Sequence, residues 1–482
     1  MASTNCEKLL TATDRINEFG HLEIGGCDVV RLVEQYGTPL IVYDETLIRD
    51  NCRRYTKSLA KDGHRVAYAG KAFLCVALCQ ILAEEGMFLD VVSGGELYTA
   101  LTAKFPVERI YFHGNNKSAD EIAMGIKAGV AHFVVDNLYE YSLLKTLARE
   151  APRPLSILLR VALGVDAATH RYIRTGQHDS KFGFAITGKD LDFVVADALS
   201  DQALLLEGFH SHIGSQITSL GVFRQAVEII FEIARHYRDK HGWQPTEINL
   251  GGGLGVKYLP DDEASSIEDL TGLILETAAK QMAAGGLSPR LTIEPGRSII
   301  APAGTTLYTV GSIKNIPEVR TYVAVDGGMT DNPRTALYQA KYACMLANRA
   351  TEPNEGVYSI AGKSCESGDM LIWDHPLPAV KSGDILAVFV TGAYNYSMAS
   401  NYNRLPRPAV VLVKDGTASI MIERETYADL VRLDRSGEAV GTVPFASVNK
   451  KNRQTVLKRM SHPNFAENSP VGGVVGTSSR SL

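Results

Sequence analysis

The stretch "RVAYAGKAF", residues 65–73, decides how the rest of the chain is interpreted. Its first residues alternate as a buried strand does, and Lys71 follows directly, beside a glycine. A lysine that ends a strand is most often a solvated side chain. The alternative is a desolvated amine at the mouth of a barrel, able to form a Schiff base. The remainder of the sequence has to decide between the two.

Eight short runs of β-forming residues follow one another between about residue 65 and residue 297. Segments such as "FLCVALCQILAEEGMF" separate them and repeat apolar residues at helical steps. Eightfold alternation of strand and helix predicts a closed (β/α)8 barrel of the TIM type, an α/β fold. The predicted strands are residues 66–69, 89–93, 109–113, 132–136, 157–161, 206–212, 247–250 and 290–294.

Unusual residues stand where these strands end. The strand ends of such a barrel surround one shared mouth, where catalytic groups of this fold collect. Each of these residues alone is more often structural than catalytic, but their joint position indicates an active site. They are Lys71, "SGGE" (93–96), "HGNNK" (113–117), "HIGSQ" (212–216), "GGGLG" (251–255) and "EPGR" (294–297).

Several of these groups suit one cofactor. The glycines at 251–253 and Ser215 offer donors to a phosphate. Glu294, stiffened by the proline after it, is placed to keep a pyridine nitrogen protonated. His212 is able to lie flat against such a ring, although a buried core histidine is the simpler interpretation. Together with Lys71 these groups favour pyridoxal 5'-phosphate.

A second, all-β domain follows the barrel. Its predicted strands are "TTLYTVGSI", "TYVAVDGG", "GVYSIAG", "DILAVFVTGAY", "RPAVVLV" and "ASIMIERE", without helices between them. The early run "PLIVYDE" predicts one further strand, so this domain takes up both chain ends. The expected boundaries are 46–299 for the barrel, 16–45 and 300–446 for the β domain, and 447–482 for a flexible tail.

A family resemblance rests on motifs in a fixed order: "YAGKAF", "DVVSGGEL", "HGNNKS", "HSHIGSQI", "NLGGGLG", "EPGRSI", "GGMTDNPRTALY", "CESGD" and "GAYNYSMASNYN". Over about residues 16 to 430 the chain resembles the diaminopimelate decarboxylase family, part of the fold-type III pyridoxal-phosphate decarboxylases. The resemblance implies decarboxylation of meso-2,6-diaminopimelate to L-lysine and CO2, the last step of lysine biosynthesis. It also implies an obligate homodimer with shared active sites.

The same resemblance implies a role for individual residues. Lys71 forms the Schiff base with the cofactor, His212 stacks on its ring, and Cys365 protonates the carbanion. The "CESGD" loop comes from the partner subunit. Cofactor-binding residues are expected at Lys71, Asp90, His212, Ser215, Gly253, Glu294, Gly296, Arg297 and Tyr394, and substrate-binding residues at Arg297, Arg334, Tyr338, Glu366 and Tyr394.

Composition excludes several other classes of protein. Lys plus Arg total 49 and Asp plus Glu 54, a formal charge of −5, which argues against nucleic acid as the main partner. No apolar run approaches the roughly 20 residues of a membrane-spanning helix, and the first twenty residues do not indicate a secretory signal. The seven cysteines lack zinc-ligand spacing and suit a reducing cytoplasm, so we expect no metal.

Three alternatives stay open. A racemase of the same fold type would share the lysine, but such enzymes typically place an arginine, not a carboxylate such as Glu294, at the ring nitrogen. A related decarboxylase of ornithine, lysine or a carboxylated polyamine would share the whole cofactor site. A catalytically dead regulatory relative would usually lack Lys71 or Cys365, both of which are present.

Overall fold

The computed structural model describes residues 5–59, 63–165 and 180–436. In these residues the strands are β1 (Arg15–Ile16), β2 (Leu22–Ile24), β3 (Cys27–Asp28), β4 (Leu40–Asp44), β5 (Arg65–Ala69), β6 (Phe88–Val91), β7 (Ile110–Phe112), β8 (His132–Val135), β9 (Leu155–Ala162), β10 (Phe184–Ala185), β11 (Leu204–His210), β12 (Glu247–Asn249), β13 (Arg290–Ile293), β14 (Gly304–Ile316), β15 (Arg320–Val325), β16 (Cys344–Leu346), β17 (Gly356–Ala361), β18 (Met370–Leu377), β19 (Ile385–Val388), β20 (Ala409–Lys414) and β21 (Thr417–Ile422).

The helices of the same residues are α1 (Val29–Tyr36), α2 (Glu45–Leu59), α3 (Val76–Glu84), α4 (Gly94–Thr102), α5 (Ala119–Ala128), α6 (Leu138–Ala148), α7 (Lys189–Ser200), α8 (Leu220–His241), α9 (Ile267–Gly285), α10 (Arg297–Ile300), α11 (Arg334–Tyr338) and α12 (Tyr427–Val431).

Eight parallel strands close into a barrel in the order β5-β6-β7-β8-β9-β11-β12-β13. The barrel closes where β13 pairs with β5, with Thr292 opposite Arg65 and Ile293 opposite Val66. Each of the eight predicted strands corresponds to one of these, so the predicted fold class is confirmed. Six of the strands end one or two residues earlier than predicted, at Val91, Phe112, Val135, His210, Asn249 and Ile293, because the following residues turn into the loops of the mouth.

Some strand-end residues serve the helices rather than the mouth. The Ser93 hydroxyl of "SGGE" accepts from the backbone N–H of Glu96 and caps α4. Ser118, which follows "HGNNK", forms a capping box with Glu121 at the start of α5. Such caps satisfy backbone donors that a helix cannot pair itself. Part of the predicted active-site signal is therefore structural.

The opposite end of the barrel contains a buried charged cluster. Glu247, the first residue of β12, is fully buried. Its carboxylate accepts from Arg290 at 2.7 Å and Arg65 at 3.1 Å, and from the hydroxyls of Tyr111 at 2.6 Å and Thr292 at 2.7 Å. Four strands are joined through this one side chain, so it fixes their relative positions at the end remote from the mouth.

A second sheet takes strands from both parts of the chain, in the order β18-β17-β15-β14-β4-β20-β21. The N-terminal strand β4 lies between β14, to which it is antiparallel, and β20, to which it is parallel. The prediction that "PLIVYDE" joins the β domain is confirmed.

Other details of the β region differ from the predicted pattern. The pattern missed the strands β16 and β18, the short helix α11 and the three-stranded sheet β1-β2-β3. Most of these elements have two to five residues, too few to show a period in the sequence. The domain boundaries stay predictions, and the predicted tail at 447–482 lies outside the described residues.

The β region contacts the barrel next to Lys71. The backbone N–H of Tyr394 donates to the carbonyl of Ala72 at 2.8 Å, and the Ser397 hydroxyl donates to the same carbonyl at 3.1 Å. Residues up to Leu430 form one compact unit, which holds both the barrel and the second sheet. Among the described helices, none is long and apolar enough to cross a membrane.

We expect Glu247→Ala to lower the free energy of unfolding by about 3–5 kcal/mol, because it leaves two arginines without their buried partner. Urea unfolding of the pure protein measures the change. The matched control is Glu276→Ala, which removes an exposed glutamate paired with Lys280 on α9 and should change stability little. Equal stability of the two variants would contradict the structural role of Glu247.

Candidate active site

Lys71 lies in a single 3-10 turn, Gly70–Ala72, that follows β5 directly. The turn is held on both sides. A Cβ on Gly70 would lie 2.9 Å from the carbonyl oxygen of Asp90, so a larger residue does not fit there. The Ala72 carbonyl accepts from the β region, as described above. The lysine side chain therefore extends from a fixed backbone.

A cavity of about 250 Å³ lies at the mouth of the barrel. It brings together four of the predicted site residues and several that the sequence had not singled out by name. Its lining residues are Lys71, Asp90, Val92, His113, Gly114, Asn115, Arg160, Phe182, His210, His212 and Glu294.

Glu294 forms the charged centre of the cavity floor. Its carboxylate accepts from Asn249 Nδ2 at 2.7 Å and from His210 Nε2 at 3.1 Å, and His113 Nε2 lies 2.9 Å from Oε1. Burial raises the pKa of Glu294, but the nearby imidazoles of His113 and His210 outweigh burial and hold the pKa well below its usual range. The floor of the cavity is therefore an anion held by two hydrogen-bond partners, Asn249 and His210, with the ring of His113 beside it.

Asp90 lies on the same cavity floor, but its pKa is raised rather than lowered. Burial raises its pKa to about 6; the neighbouring Glu294 adds to the rise, while His113 and Lys71 oppose it. Asp90 Oδ1 and His113 Nε2 lie 3.7 Å apart, and neither has a hydrogen-bond partner of good geometry. Buried polar atoms are nearly always satisfied, so these two are suited to partner a polar ligand.

His212 is neutral in this setting. Its Nδ1 accepts from the backbone N–H of Gly252 at 3.2 Å, which leaves Nε2 as the protonated nitrogen. Burial, with the charges of Lys71 and Arg160, holds the pKa of His212 well below its usual range. A neutral ring in a cavity wall can stack on another planar ring.

The glycine turn after β12 is packed against two neighbouring strand ends. A Cβ on Gly252 would lie 2.1 Å from the carbonyl oxygen of Glu294, and one on Gly251 would lie 2.4 Å from that of Ser211. Gly253 has φ +129°, in the region that L side chains rarely adopt. Close packing alone demands glycine at these positions, in addition to any approach of a phosphate.

Ser215 and Arg297 lie together at the edge of the mouth. The Arg297 guanidinium donates to Ser215 Oγ from Nη2 at 2.9 Å, and it lies 4.8 Å from the ring centre of Tyr394. Gly296, just before Arg297, would bring a Cβ within 3.0 Å of the Cβ of Ala69. The predicted residues Gly296 and Tyr394 thus contact the turn that carries Lys71 or the strand end before it, and Arg297 links Ser215 to them.

Arg334 and Tyr338 start and end α11 in the β region. Arg334 is buried, with 5% of its surface exposed, and its Nε has no hydrogen-bond partner. Tyr338 is half-buried. A buried guanidinium with an unsatisfied donor is prepared for an anionic ligand.

The loop "CESGD" is not part of the cavity that Lys71 lines. Cys365 is exposed, and Glu366 beside it is exposed as well. The loop is nonetheless well held: the backbone N–H of Cys365 donates to Asn403 Oδ1 at 2.7 Å, and that of Ser364 donates to Asp369 Oδ2 at 2.8 Å. A fixed loop thus presents a thiol and a carboxylate at the surface of the chain.

Sequence reasoning missed His113, Arg160, His210 and Asn249. The two histidines lie in the motifs "HGNNK" and "HSHIGSQ". These motifs indicated the site, but the sequence does not show which of their residues line the cavity and which have a structural role. The last residue of "HGNNK" is structural: Lys117 is buried beside Glu140, with a nitrogen–oxygen distance of 2.6 Å. Arg160 is the sixth residue of β9, and the sequence pattern does not distinguish it from the other strand residues of the barrel wall.

Comparison with known proteins defines the class of enzyme. Residues 45–301 match the family described as pyridoxal-dependent decarboxylase, pyridoxal binding domain. Lys71, the glycine turn and Glu294 all lie inside the matched range.

Relatives over the full length narrow the class. A diaminopimelate decarboxylase from Halalkalibacterium halodurans is 53% identical over 88% of this chain and 97% of its own, and one from Bacillus subtilis is 52% identical over 88% and 98%. The crystal structure of diaminopimelate decarboxylase from M. jannaschii in complex with L-lysine superposes with a TM-score of 0.82, at 36% identity, covering 88% of this chain and 98% of that one. The chain belongs to the diaminopimelate decarboxylase family, and its cofactor is pyridoxal 5'-phosphate.

The residues of the cavity fit that cofactor. Lys71 would supply an amine for its aldehyde, and the anionic Glu294 would suit a protonated ring nitrogen. The unsatisfied atoms of Asp90 and His113 give polar partners on the cavity floor. Ser215 and Arg297 provide a hydroxyl and a cation for a phosphate at the edge.

We expect Gly252→Ala to destabilise the protein without cofactor by about 3 kcal/mol, because the added methyl meets the backbone of Glu294. It should also reduce cofactor retention, seen as lower visible absorbance after desalting. Gly272→Ala on α9 is the control, since a Cβ there meets nothing within 4 Å. A Gly252→Ala protein as stable as the control would contradict the packing described for this turn.

Proposed function

We propose that the chain decarboxylates meso-2,6-diaminopimelate to L-lysine and CO2, with pyridoxal 5'-phosphate as cofactor. The observation that carries the proposal is a cavity with an amine and an anionic floor, together with two buried guanidiniums, Arg297 and Arg334, that contact the same tyrosine and are each 5% exposed. The relatives that share the whole chain bear the name diaminopimelate decarboxylase.

The cofactor supplies a conjugated, protonated ring that accepts the electrons released when the carboxyl group departs. The chain's own residues prepare that ring. Lys71 would bind its aldehyde carbon, Glu294 would supply a negative charge to its ring nitrogen, and His212 would contribute a neutral ring face. Because His113, His210 and Asn249 surround Glu294 and favour its anionic form, Glu294 would favour a protonated ring nitrogen.

The substrate has a second amino-acid head, with a carboxylate and an ammonium group. Arg297, Arg334 and Tyr338 bind the second carboxylate, since a planar guanidinium forks onto a carboxylate in a bidentate way. Substrates without that group, such as ornithine, leave a buried cation unpaired, which costs binding energy. The chemistry of the site therefore favours diaminopimelate over smaller diamino acids.

Proton delivery requires a second chain. Cys365 and Glu366 are exposed on a fixed loop and do not line the cavity of their own chain. We infer a homodimer in which the partner's loop enters the mouth, its thiol giving a proton to the substrate carbon and its carboxylate pairing with the remote ammonium. A dimer with two equivalent shared sites follows from two-fold symmetry.

The direct test is to incubate the pure protein, loaded with cofactor, with meso-diaminopimelate, ornithine and lysine, and to measure CO2 and the amine product. We expect CO2 and L-lysine from diaminopimelate and at most a small fraction of that rate from the other two. Faster release from ornithine or lysine would assign the chain to a sibling decarboxylase. We also propose a cytoplasmic location, which fits a biosynthetic enzyme with free thiols.

Lys71→Ala should abolish covalent attachment of the cofactor, because Lys71 is the one lysine among the described residues that line this cavity. Borohydride reduction followed by peptide mass spectrometry measures the labelled residue. The exposed Lys57→Ala variant is the control and should keep the label at Lys71. Labelling of another lysine in Lys71→Ala at the wild-type level would contradict the assignment.

Sharing of the site between chains gives a quantitative prediction. Lys71→Ala and Cys365→Ala should each be nearly inactive, and subunit exchange between them should restore about a quarter of wild-type activity. Half of the dimers become heterodimers, and each of those has one intact site out of two. Differently tagged chains confirm the exchange. Confirmed heterodimers with no recovered activity would mean that each chain builds its own site.

A further inference from the structure

Two buried cations contact the same tyrosine without a carboxylate to balance them. Arg297 and Arg334 are each 5% exposed. Within the described residues, neither guanidinium has a carboxylate within ion-pair distance. Buried charges are normally paired, so something else must make this arrangement tolerable in the protein alone.

Tyr258 is the group that both arginines contact. It lies in the loop after β12 and is itself buried. Nη1 of Arg297 donates to the Tyr258 hydroxyl, and the guanidinium of Arg334 lies 4.7 Å from the centre of the Tyr258 ring. One tyrosine thus offers its oxygen to one cation and the negative face of its ring to the other.

Tyr342 contacts both Tyr258 and Arg334. Its ring stands edge-on to Tyr258, with centroids 5.4 Å apart and planes at 87°, and its hydroxyl accepts from Arg334 Nη1 at 2.5 Å. Hydroxyls and ring faces hold the guanidiniums in place but do not cancel their charge. The pair therefore keeps its attraction for an anion, and the unsatisfied Nε of Arg334 is a donor that an anion can use.

Tyr258 also joins the two parts of the fold. Arg297 belongs to α10, directly after barrel strand β13, and donates to Ser215 in the loop after β11. Arg334 and Tyr342 belong to the β region. A continuous series of polar contacts thus runs from Ser215 through Arg297, Tyr258 and Arg334 to Tyr342. The distance between the two guanidiniums depends on the tyrosine between them.

We propose that Tyr258 is a positioning residue that holds Arg297 and Arg334 as one receptor for the second carboxylate of the substrate. The inference rests on the proposed function, because that function supplies the carboxylate. It predicts that the Tyr258 hydroxyl affects ligands that have this carboxylate and leaves those without it unaffected.

Calorimetric binding to the cofactor-loaded enzyme tests this with two ligands. L-Lysine, the expected product, keeps the carboxylate remote from the reacting carbon, and cadaverine is the same chain without it. Tyr258→Phe, which removes only the hydroxyl, should weaken L-lysine about tenfold or more and change cadaverine less than twofold. With diaminopimelate, KM should rise by a similar factor while kcat changes much less.

Two further variants keep the result interpretable. Tyr141→Phe removes another buried tyrosine hydroxyl, which bonds to Asp197 on α7, and should leave both affinities unchanged. Tyr342→Phe removes the hydroxyl that accepts from Arg334 and should reproduce the selective loss, even if Tyr258→Phe fails to fold.

Different results would contradict the role of Tyr258 and the proposed function. Unchanged L-lysine affinity in Tyr258→Phe, or equal losses of L-lysine and cadaverine in Tyr258→Phe and Tyr342→Phe, would overturn the role of Tyr258. A wild-type enzyme that releases no CO2 from diaminopimelate would instead contradict the proposed function.

Discussion

The pairing of β13 with β5 closes the barrel, and the active site depends on it. It sets Ile293 opposite Val66, so the residues that follow each strand, Glu294 and the turn with Lys71, emerge at the same mouth. The backbone N–H of Ala69 donates to the carbonyl of Pro295 at 3.1 Å, which extends the contact beyond the strands. An open sheet would leave the amine and the carboxylate on opposite edges. Closure is therefore what converts two distant segments into one cavity.

Two carboxylates on the cavity floor differ in their ionisation because their neighbours differ. Glu294 lies beside the imidazoles of His113 and His210, which lower its pKa by more than burial raises it. Asp90 lies near the same His113, but it also feels the negative charge of Glu294, so burial dominates and raises its pKa to about 6. Two chemically similar side chains therefore differ in ionisation because of their surroundings alone: Glu294 is held as an anion, and Asp90 is a weaker acid.

The sequence predicted the parts of this molecule that follow from regular periods. Eight strands with helices between them determine a barrel, and residues placed after strands must meet at its mouth, so Lys71, His212 and Glu294 could be grouped without coordinates. The regular spacing of strands and helices does not show which residue at a strand end points into the cavity. Ser93 and Lys117 belong to the same motifs as the cavity residues, yet one caps a helix and the other pairs with Glu140. Arg160, inside a strand, and Tyr258, in a loop, enter the site only through three-dimensional packing.

The proposed site takes its residues from three sources: the barrel, the β region and the thiol loop of a second chain. The barrel supplies the amine, the anionic floor and one arginine, whereas the β region supplies the second arginine through a short helix that no sequence period marks. The thiol loop is fixed by Asp369 and Asn403 but faces outward from its own chain. Two buried arginines without a carboxylate partner, and a preformed loop that exposes Cys365 and Glu366 outside the cavity, are complementary features of one chain. In the proposed dimer, the partner's loop would add a thiol and a further carboxylate to the mouth that already contains Asp90 and Glu294, which would give dimer formation a chemical purpose beyond burying surface.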